Sequence, residues 1–219
     1  MTQDDTPPDC PPTAPASPVG SCRKASRRAA ILETARALFF ERGYADTPMS
    51  LVACQVGGSK STLWNYFPSK RDLFAAVLDE VTTRLQAESF QALNPDLEMA
   101  EALYRFCLGF VSMILSEEAI CLHRMVTAEA RRFPELGTMF YERGPKITHR
   151  RLAEYLNRAM DAGQLRAGDP LLAARHLTSL CQGWTLAYRL WNVGAPPSSH
   201  VIADEVRQGL AVFLRAYAP

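Results

Sequence analysis

The sequence predicts an all-α protein with a small N-terminal helix-turn-helix unit followed by a larger helical body. Apolar residues make up 47% of the 219 residues and recur at helical spacing through most of the chain. No segment shows a convincing strand-type alternation. Nine Lys and Arg residues but only three acidic residues fall between residues 23 and 71, although the whole chain has a net charge of +1. The positive charge is therefore confined to one small N-terminal unit, a distribution typical of nucleic-acid-binding domains.

Residues 1–22 are predicted to be a disordered tail. Six of the 15 prolines lie within the first 21 residues, which contain three acidic residues and no basic or aromatic residue. Such a composition buries too little apolar surface to offset the entropy of ordering. The tail lacks the basic and apolar pattern of a secretory signal, and no apolar run approaches the roughly 20 residues that span a bilayer. The six cysteines are scattered without a CxxC pair, so we expect a reduced, cytoplasmic setting and no membrane partner.

The first two helices of the basic unit are predicted over 23–43 and 48–56. Apolar residues at helical spacing define the first helix, and Gly43 ends it. Thr47 followed by Pro48 is a cap and first-turn pair that begins the second.

Two further helices are predicted over 60–66 and 70–91. The Gly57-Gly58 pair makes a turn, after which Ser59 caps the short third helix. Pro68 stops that helix, and Ser69 caps a long amphipathic fourth helix. The basic unit is thus assigned to residues 23–69, with its helix-turn-helix over 48–67, and the body to residues 70–219.

The body reads as five longer helices, predicted over 96–115, 118–131, 135–162, 170–192 and 199–217. Pro145 lies inside the third of these. Because proline removes a backbone donor and clashes with the preceding turn, we expect a kink or a division at Gly144-Pro145.

The chemistry of helix 60–66 suits the major groove of DNA. The helix is short and begins with small residues, so its N-terminal end can approach the base edges closely. Lys60 adds a positive charge, and the free N–H groups of the first turn suit a phosphate oxygen. Ser61, Thr62 and Asn65 offer donors and acceptors to bases. Tyr66 and Lys70 can each reach a phosphate.

The run from residue 27 to 81 resembles the DNA-binding domain of the TetR family of bacterial repressors. The matching residues are Ile31, Leu32, Ala35, Phe39, Gly43, Tyr44, Thr47, Val52, Ala53, Gly57, Ser59, Thr62, Leu63, Tyr66, Phe67, Ser69, Lys70, Leu73 and Phe74. Val56, Gly58 and Trp64 depart from the usual Ala, Val and Tyr, which weakens any inference about the operator sequence. The residues predicted to contact DNA are Thr47, Ser59, Lys60, Ser61, Thr62, Trp64, Asn65, Tyr66 and Lys70.

The stretch EARRFPELGTMFYERGP, residues 129–145, resembles the C-terminal region of the AefR-like subgroup, many of whose members control efflux-pump genes. The resemblance implies a ligand-responsive, dimeric repressor of a palindromic DNA operator, with a four-helix interface between copies. The helices near 170–192 and 199–217 fit that interface, because both carry more apolar surface than one internal face requires.

The resemblance also implies a cavity between the middle helices that holds a small apolar or aromatic inducer. The residues predicted to line it are Phe106, Phe110, Met113, Met125, Phe140, Trp184 and Tyr188. His123, His176 and Gln182 could orient the ligand. An aromatic or Met side chain at helical spacing is more often an ordinary core residue, so each of these has a core alternative.

Three other classes of function were weighed. An enzyme is not expected, because no nucleophile–base pair, carboxylate pair or phosphate loop has the required spacing. A metal or redox sensor is not favoured either, since Cys121 and His123 diverge on a helix and His176 and Cys181 are five residues apart. A helical protein that binds only other proteins would not need the basic unit. We therefore expect no cofactor and no metal, and the inducer, the operator and the regulated genes stay open.

Overall fold

The computed structural model describes residues 18–57, 60–94 and 96–219, and these ranges are helical without a β-strand. In the described ranges the helices are α1 Pro18–Arg42, α2 Met49–Val56, α3 Lys60–Tyr66, α4 Lys70–Gln91, α5 Met99–Ile114, α6 Glu117–Glu129, α7 Pro134–Arg143, α8 Pro145–Asp161, α9 Pro170–Gln182, α10 Thr185–Trp191 and α11 Ser199–Ala216. The predicted all-α fold class is confirmed.

The N-terminal helices lie close to their predicted positions. Gly57 ends α2 in the left-handed conformation, with φ +69° and ψ +46°. The Ser69 side chain accepts a hydrogen bond from the Asp72 amide, as an N-cap of α4 should. Helix α1 begins at Pro18, so the last residues of the predicted tail belong to it, whereas residues 1–17 lie outside the described residues.

The body differs from the prediction at one helix. The predicted helix 135–162 divides at Gly144 into α7 and α8, as Pro145 indicated. The predicted continuous helix 170–192 was wrong, because α9 ends at Gln182 and α10 begins at Thr185. Gly183 between them has φ +48°, and a Cβ built there would lie 2.0 Å from Oε1 of Glu205 on α11. Only glycine fits this conformation and this close approach.

The N-terminal core extends beyond the predicted basic unit. Phe39 and Phe74 meet edge to face with ring centroids 5.3 Å apart, and Tyr44 packs 5.2 Å from Phe74. The body contributes to the same core through α6 and α7, with Leu122, Met125, Val126, Leu136 and Met139. The N-terminal unit is therefore packed directly on two helices of the body.

A second core joins α5, α8, α9 and α11. Phe106 and Phe110 stack inside it with nearly parallel rings, 6.1 Å apart. Helices α9 and α11 approach each other closely at Gly209, where an added Cβ would lie 2.5 Å from the Leu180 carbonyl oxygen. The two cores hold the N-terminal unit at one end of the molecule and the α9–α11 pair at the other.

Candidate DNA-binding surface and ligand cavity

Helix α3 has one face in the core and one face in solvent. Leu63 is buried, and so is Phe67, which follows the helix. Four side chains are exposed on the opposite side: Lys60, Ser61, Trp64 and Asn65. They fall within an arc of roughly 140°, because successive helical residues are about 100° apart. This outward face of α3 therefore carries one cation, two small polar side chains and one indole.

The other predicted DNA contacts divide between the sides of this helix and the core. Thr62 and Tyr66 are half-buried beside the outward face of α3. Ser59 lies outside the described residues. Thr47 is fully buried, and its hydroxyl lies 2.8 Å from the Gly43 oxygen and 3.2 Å from the Leu38 oxygen. This buried hydroxyl stabilises the turn between α1 and α2 and is not available to DNA. Pro48, and not Thr47, takes the N-cap position of α2.

Lys70 links the start of α4 to the turn before α2. Its ammonium donates to the Ala45 carbonyl oxygen over 3.0 Å and lies 4.4 Å from the centre of the Tyr44 ring. Burial lowers the pKa of Lys70. An ammonium has three N–H donors, so the bond to Ala45 leaves donors for a phosphate. The phosphate contact of Lys70 stays a prediction.

A basic face on α1 was missed as a candidate site. Arg23, Lys24 and Arg28 are exposed and Arg27 is half-buried. Their i,i+4 spacing places all four within roughly 140° of the helix surface. The Arg28 guanidinium lies 5.3 Å from the centre of the Phe67 ring, which connects this face to the end of α3. The i,i+4 spacing of these four basic residues in the sequence is the signal that predicts a basic helix face.

The body contains a cavity of about 220 Å³ between α4, α5, α6, α8 and α9, with one residue each from α7 and α10. It is lined by Thr82, Leu85, Gln86, Phe110, Met113, Ile114, Ala119, Leu122, His123, Phe140, Gly144, Pro145, Thr148, His149, Thr178, Ser179, Gln182 and Leu186. Among these described residues there is no Asp, Glu, Lys or Arg. The cavity is therefore apolar with a set of uncharged polar groups.

Three of the seven residues predicted for the ligand site line this cavity: Phe110, Met113 and Phe140. Phe106 and Met125 pack in the two cores and do not line it. Phe106 lies on the same face of α5 as Phe110 but one turn earlier, and Met125 lies on a different face of α6 from His123. Trp184 and Tyr188 are 66% and 48% exposed, because the break at Gly183 redirects α10. Of the predicted orienting residues, His123 and Gln182 line the cavity, whereas His176 lies 2.8 Å from the Tyr217 hydroxyl.

Several polar wall residues were missed by sequence reasoning. Thr82 and Gln86 are buried one turn apart on α4, and the Gln86 amide nitrogen donates to the Gly144 oxygen over 3.2 Å. Two polar residues one turn apart on an apolar helix face were a readable signal. His149 lies 3.2 Å from the Thr178 hydroxyl across α8 and α9, and nothing in the sequence pairs these two residues.

Both cavity histidines are biased towards the neutral form. Burial lowers the pKa of His123, and burial together with the nearby charge of Arg175 lowers the pKa of His149. The His123 ring lies 5.5 Å from the Phe140 ring. A neutral imidazole carries one N–H donor and one nitrogen acceptor, so both histidines can bind an uncharged polar group.

Helix α6 lines the cavity and also holds the N-terminal unit at both of its ends. At its start, Glu118 forms ion pairs with Arg36 on α1, at 3.2 Å, and with Arg84 on α4. At its end, the Glu129 carboxylate accepts a hydrogen bond of 2.9 Å from the Ala45 amide. His123 lies between these two carboxylates and faces the cavity. A displacement of α6 would therefore reach the N-terminal unit directly through Arg36 and Ala45, and would reach α4 through Arg84.

Large apolar side chains are exposed on the far end of the molecule. They are Leu171, Leu172, Leu180, Trp184, Tyr188, Trp191, Val193, Val201 and Val212, which belong to α9, α10, α11 and the segments that connect them. Trp184 lies 6.3 Å from both Tyr188 and Trp191, measured between ring centroids. We call this set the α9–α11 apolar surface. Clustered exposed aromatic side chains such as Trp184, Tyr188 and Trp191 are typical of a surface that contacts another protein.

Other kinds of site have less support among the described residues. Within the described ranges, no three His, Cys, Asp or Glu residues lie together in a way that could hold a metal ion. Cys107 and Cys181 are buried against each other, and their hydrogen bond and burial raise the pKa of the Cys107 thiol. Such a thiol is a poor nucleophile. Of the helices in the described residues, none is alone long and apolar enough to cross a membrane, although α5 and α6 together, bent by 62°, pass on length and composition.

Comparison with known proteins gives matches along most of the chain. A family model described as bacterial regulatory proteins of the tetR family matches residues 31–77, and one described as the C-terminal domain of AefR-like transcriptional repressors matches residues 101–219.

Individual relatives agree with these matches. The structure of the flavonoid-responsive regulator FrrA is 32% identical, covers 89% of this chain and 98% of its own, and superposes with a TM-score of 0.78. A TetR-family transcriptional regulator from Mesorhizobium loti is 25% identical over 90% of this chain and 99% of its own, with a TM-score of 0.80. The nucleoid occlusion factor SlmA of Pasteurella multocida is 25% identical over 78% of this chain and 86% of its own length.

Proposed function

This chain belongs to the TetR family of transcriptional regulators, and from that premise we propose that it is a ligand-responsive dimeric repressor. A small apolar or aromatic inducer binds in the cavity and releases the dimer from a palindromic operator. Both family matches point to a DNA-binding regulator rather than an enzyme. One observation carries the proposal: α6 lines the cavity and at the same time contacts the N-terminal unit at both ends.

The outward face of α3 supports the DNA-binding part of the proposal. Trp64 is 39% exposed although it is a large aromatic residue, and a solvated indole on a short helix suits a sugar or a thymine methyl in the major groove. Lys60 lies on the same face and suits a phosphate. Leu63 and Phe67 fix the helix to its core, so the outward face is presented on a rigid support.

The α9–α11 apolar surface supports dimerisation. TetR-family regulators act as dimers on DNA operators. We assign this surface to the contact between two copies, because burying it removes several large side chains from water, each contributing about 1.5–3 kcal/mol. Two copies related by a two-fold axis would set their α3 helices about 34 Å apart, which matches successive major-groove faces of a palindrome.

The contacts of α6 support the link between ligand and operator. Ligand in the cavity favours one position of α6, and the Glu118 and Glu129 contacts transmit that position to α1, α4 and the turn at Ala45. The spacing of the two α3 helices then changes and operator affinity falls. The ligand can shift this equilibrium only by its difference in affinity between the two states.

The cavity and the relatives support a class of inducer and a type of regulated gene. The lining favours an apolar or aromatic molecule, and the 32% identical FrrA is by its name flavonoid-responsive. The AefR-like C-terminal domain supports control of an efflux system, because many members of that subgroup control efflux-pump genes, as the sequence resemblance implied. A divergent efflux operon next to the gene would agree with this assignment, whereas a catabolic operon would point to a metabolite as inducer.

The test begins with selection of bound sequences from random DNA by the full chain. We expect a palindromic operator whose affinity falls steeply with salt, because phosphate contacts release counterions. Trp64→Ala should weaken operator binding roughly tenfold, the loss of about 1.4 kcal/mol of contact. Tyr141→Ala is the matched control, since Tyr141 is 44% exposed on the body.

Two results would contradict the proposal. Failure to select any DNA would remove the DNA-binding function. Unchanged operator affinity and site length for a monomeric variant would remove the role of the dimer. Full-strength binding by Trp64→Ala would remove only Trp64 from the interface.

A further inference from the structure

We propose that the cavity takes an uncharged aromatic molecule that carries a hydroxyl group as a hydrogen-bond donor, with His123 as one of its partners. The inference rests on the proposed function in one respect, namely that this cavity is the effector site. It goes further by assigning the chemical class of the effector from the wall of the cavity.

The absence of charge on the wall excludes an ionised ligand. No described lining residue is Asp, Glu, Lys or Arg. A carboxylate or an amine brought into this cavity would lose its hydration without contacting a lining residue of opposite charge, which is far more costly than burying a neutral group. The apolar part of the wall includes Phe110, Met113, Leu122 and Phe140, and it suits a flat aromatic body.

The volume limits the size of the aromatic body. A dry protein cavity of about 150 Å³ holds one benzene molecule. This cavity has about 220 Å³, half as much again. A molecule of one or two fused rings therefore fits without displacing the helices.

The hydrogen bonds of three wall threonines show where a donor group on a ligand could bind. The hydroxyls of Thr82, Thr148 and Thr178 lie within 2.7, 3.3 and 3.0 Å of the carbonyl oxygens of Leu78, Gly144 and Ala174. Each threonine has one proton, and these contacts use it. These three hydroxyls therefore offer a ligand oxygen lone pairs and no free proton.

Gln86 adds one more hydrogen-bond acceptor to the wall. Its amide nitrogen donates to the Gly144 oxygen, and its own carbonyl oxygen remains an acceptor on the wall. A ligand that brings an O–H group satisfies such acceptors, whereas an ether or a ketone only adds another acceptor.

His123 favours a hydroxyl in particular. Burial lowers the pKa of His123, so the ring is neutral and offers one donor and one acceptor. Among the described residues no side chain or backbone group makes a hydrogen bond to it, and its ring rests against Phe140. A hydroxyl can both donate and accept, so it matches either tautomer of this imidazole.

The test compares four probes with one ring system: naphthalene, naphthol, methoxynaphthalene and naphthoate, each substituted at the same position. Binding to the full chain is measured by titration calorimetry at neutral pH. We expect naphthol to bind about tenfold tighter than methoxynaphthalene, because the ether leaves buried acceptors unpaired. Naphthoate should bind at least about tenfold more weakly than naphthol.

A variant then locates the hydroxyl. His123→Phe should remove most of the advantage of naphthol over naphthalene, and His200→Phe, a change at an exposed histidine outside the cavity, should retain it. Because the comparison is a ratio of two ligands on each variant, changes in packing that affect both ligands cancel. The ranking of the four probes on the unaltered chain needs no variant and stands alone as a test.

Three results would overturn the inference: naphthoate binding as tightly as naphthol, methoxynaphthalene binding as tightly as naphthol, or no naphthol binding at about 1 mM, a weak affinity of roughly 4 kcal/mol. Operator release is measured in parallel. If naphthol ranks first but no probe that binds releases DNA, the ligand class stands and the proposed regulatory function fails.

Discussion

Replacing Gly209 with alanine tests the close approach of α9 and α11. An added Cβ would lie 2.5 Å from the Leu180 carbonyl oxygen, 2.7 Å from its carbonyl carbon and 2.9 Å from Cys181 Cα. All three atoms are backbone atoms, so no side chain can rotate away. The two helices must therefore move apart, and they are the helices that present the proposed dimer surface.

The cost can be worked from these distances. An ordinary contact begins at 3.4 Å, so the helices must separate by about 0.9 Å, the difference between 3.4 and 2.5 Å. Overpacking of a core costs about 3 kcal/mol at the upper end of its usual range. The higher helix propensity of alanine offsets about 1 kcal/mol of this cost. The free energy of unfolding should fall by about 2 kcal/mol, which lowers Tm by roughly 4–8 °C for a chain of this length.

Gly137→Ala is the matched control. Gly137 lies inside α7, and the nearest atom to an added Cβ is the Ala130 Cβ at 3.7 Å, an ordinary contact. Here only the helix propensity changes, so this variant should be more stable by about 0.5–1 kcal/mol. Both variants are compared by denaturant unfolding at one protein concentration, since dimerisation makes stability concentration-dependent. If Gly209→Ala were as stable as Gly137→Ala, the two helices would not be as close as described.

Three further outcomes are expected. Glu118→Gln removes the ion pairs that join α6 to Arg36 and Arg84. The free energy of unfolding should fall by only about 0.5–1 kcal/mol, but inducer should release the operator less completely in a gel-shift titration. An unaltered response would show that these pairs carry no coupling. Since burial lowers the pKa of His123 and of His149 in the folded chain, the unfolded chain binds more protons below about pH 6.5. The free energy of unfolding should therefore fall from pH 6.5 to 5, and it should fall less in a His123→Phe variant. An equal or steeper fall for that variant in a denaturant series would show that His123 does not contribute in this direction. Trp184→Ser should raise the dimer dissociation constant at least about tenfold in sedimentation experiments, and a dimer of undiminished affinity would place the interface elsewhere.

Local chemistry explains why the N-terminal helices could be predicted so closely. Gly57 stops α2 because it adopts a left-handed conformation, and Ser69 starts α4 through a bond to a residue three positions away. These signals lie within a few residues of the features they determine. Gly183 was a local signal of the same kind, but the sequence did not show that Glu205, on a helix that begins 16 residues later, lies against it.

The sequence by itself determined that the chain is helical and that a helix-turn-helix lies near its N-terminus. Helical periodicity decides these things, because it acts between residues three and four positions apart. The tertiary structure decided that Thr47 is buried, that Phe106 belongs to the core while Phe110 lines the cavity, and that Trp184 is exposed. Each of these depends on which distant helix covers a given face, and periodicity shows that a face is apolar without showing what packs against it.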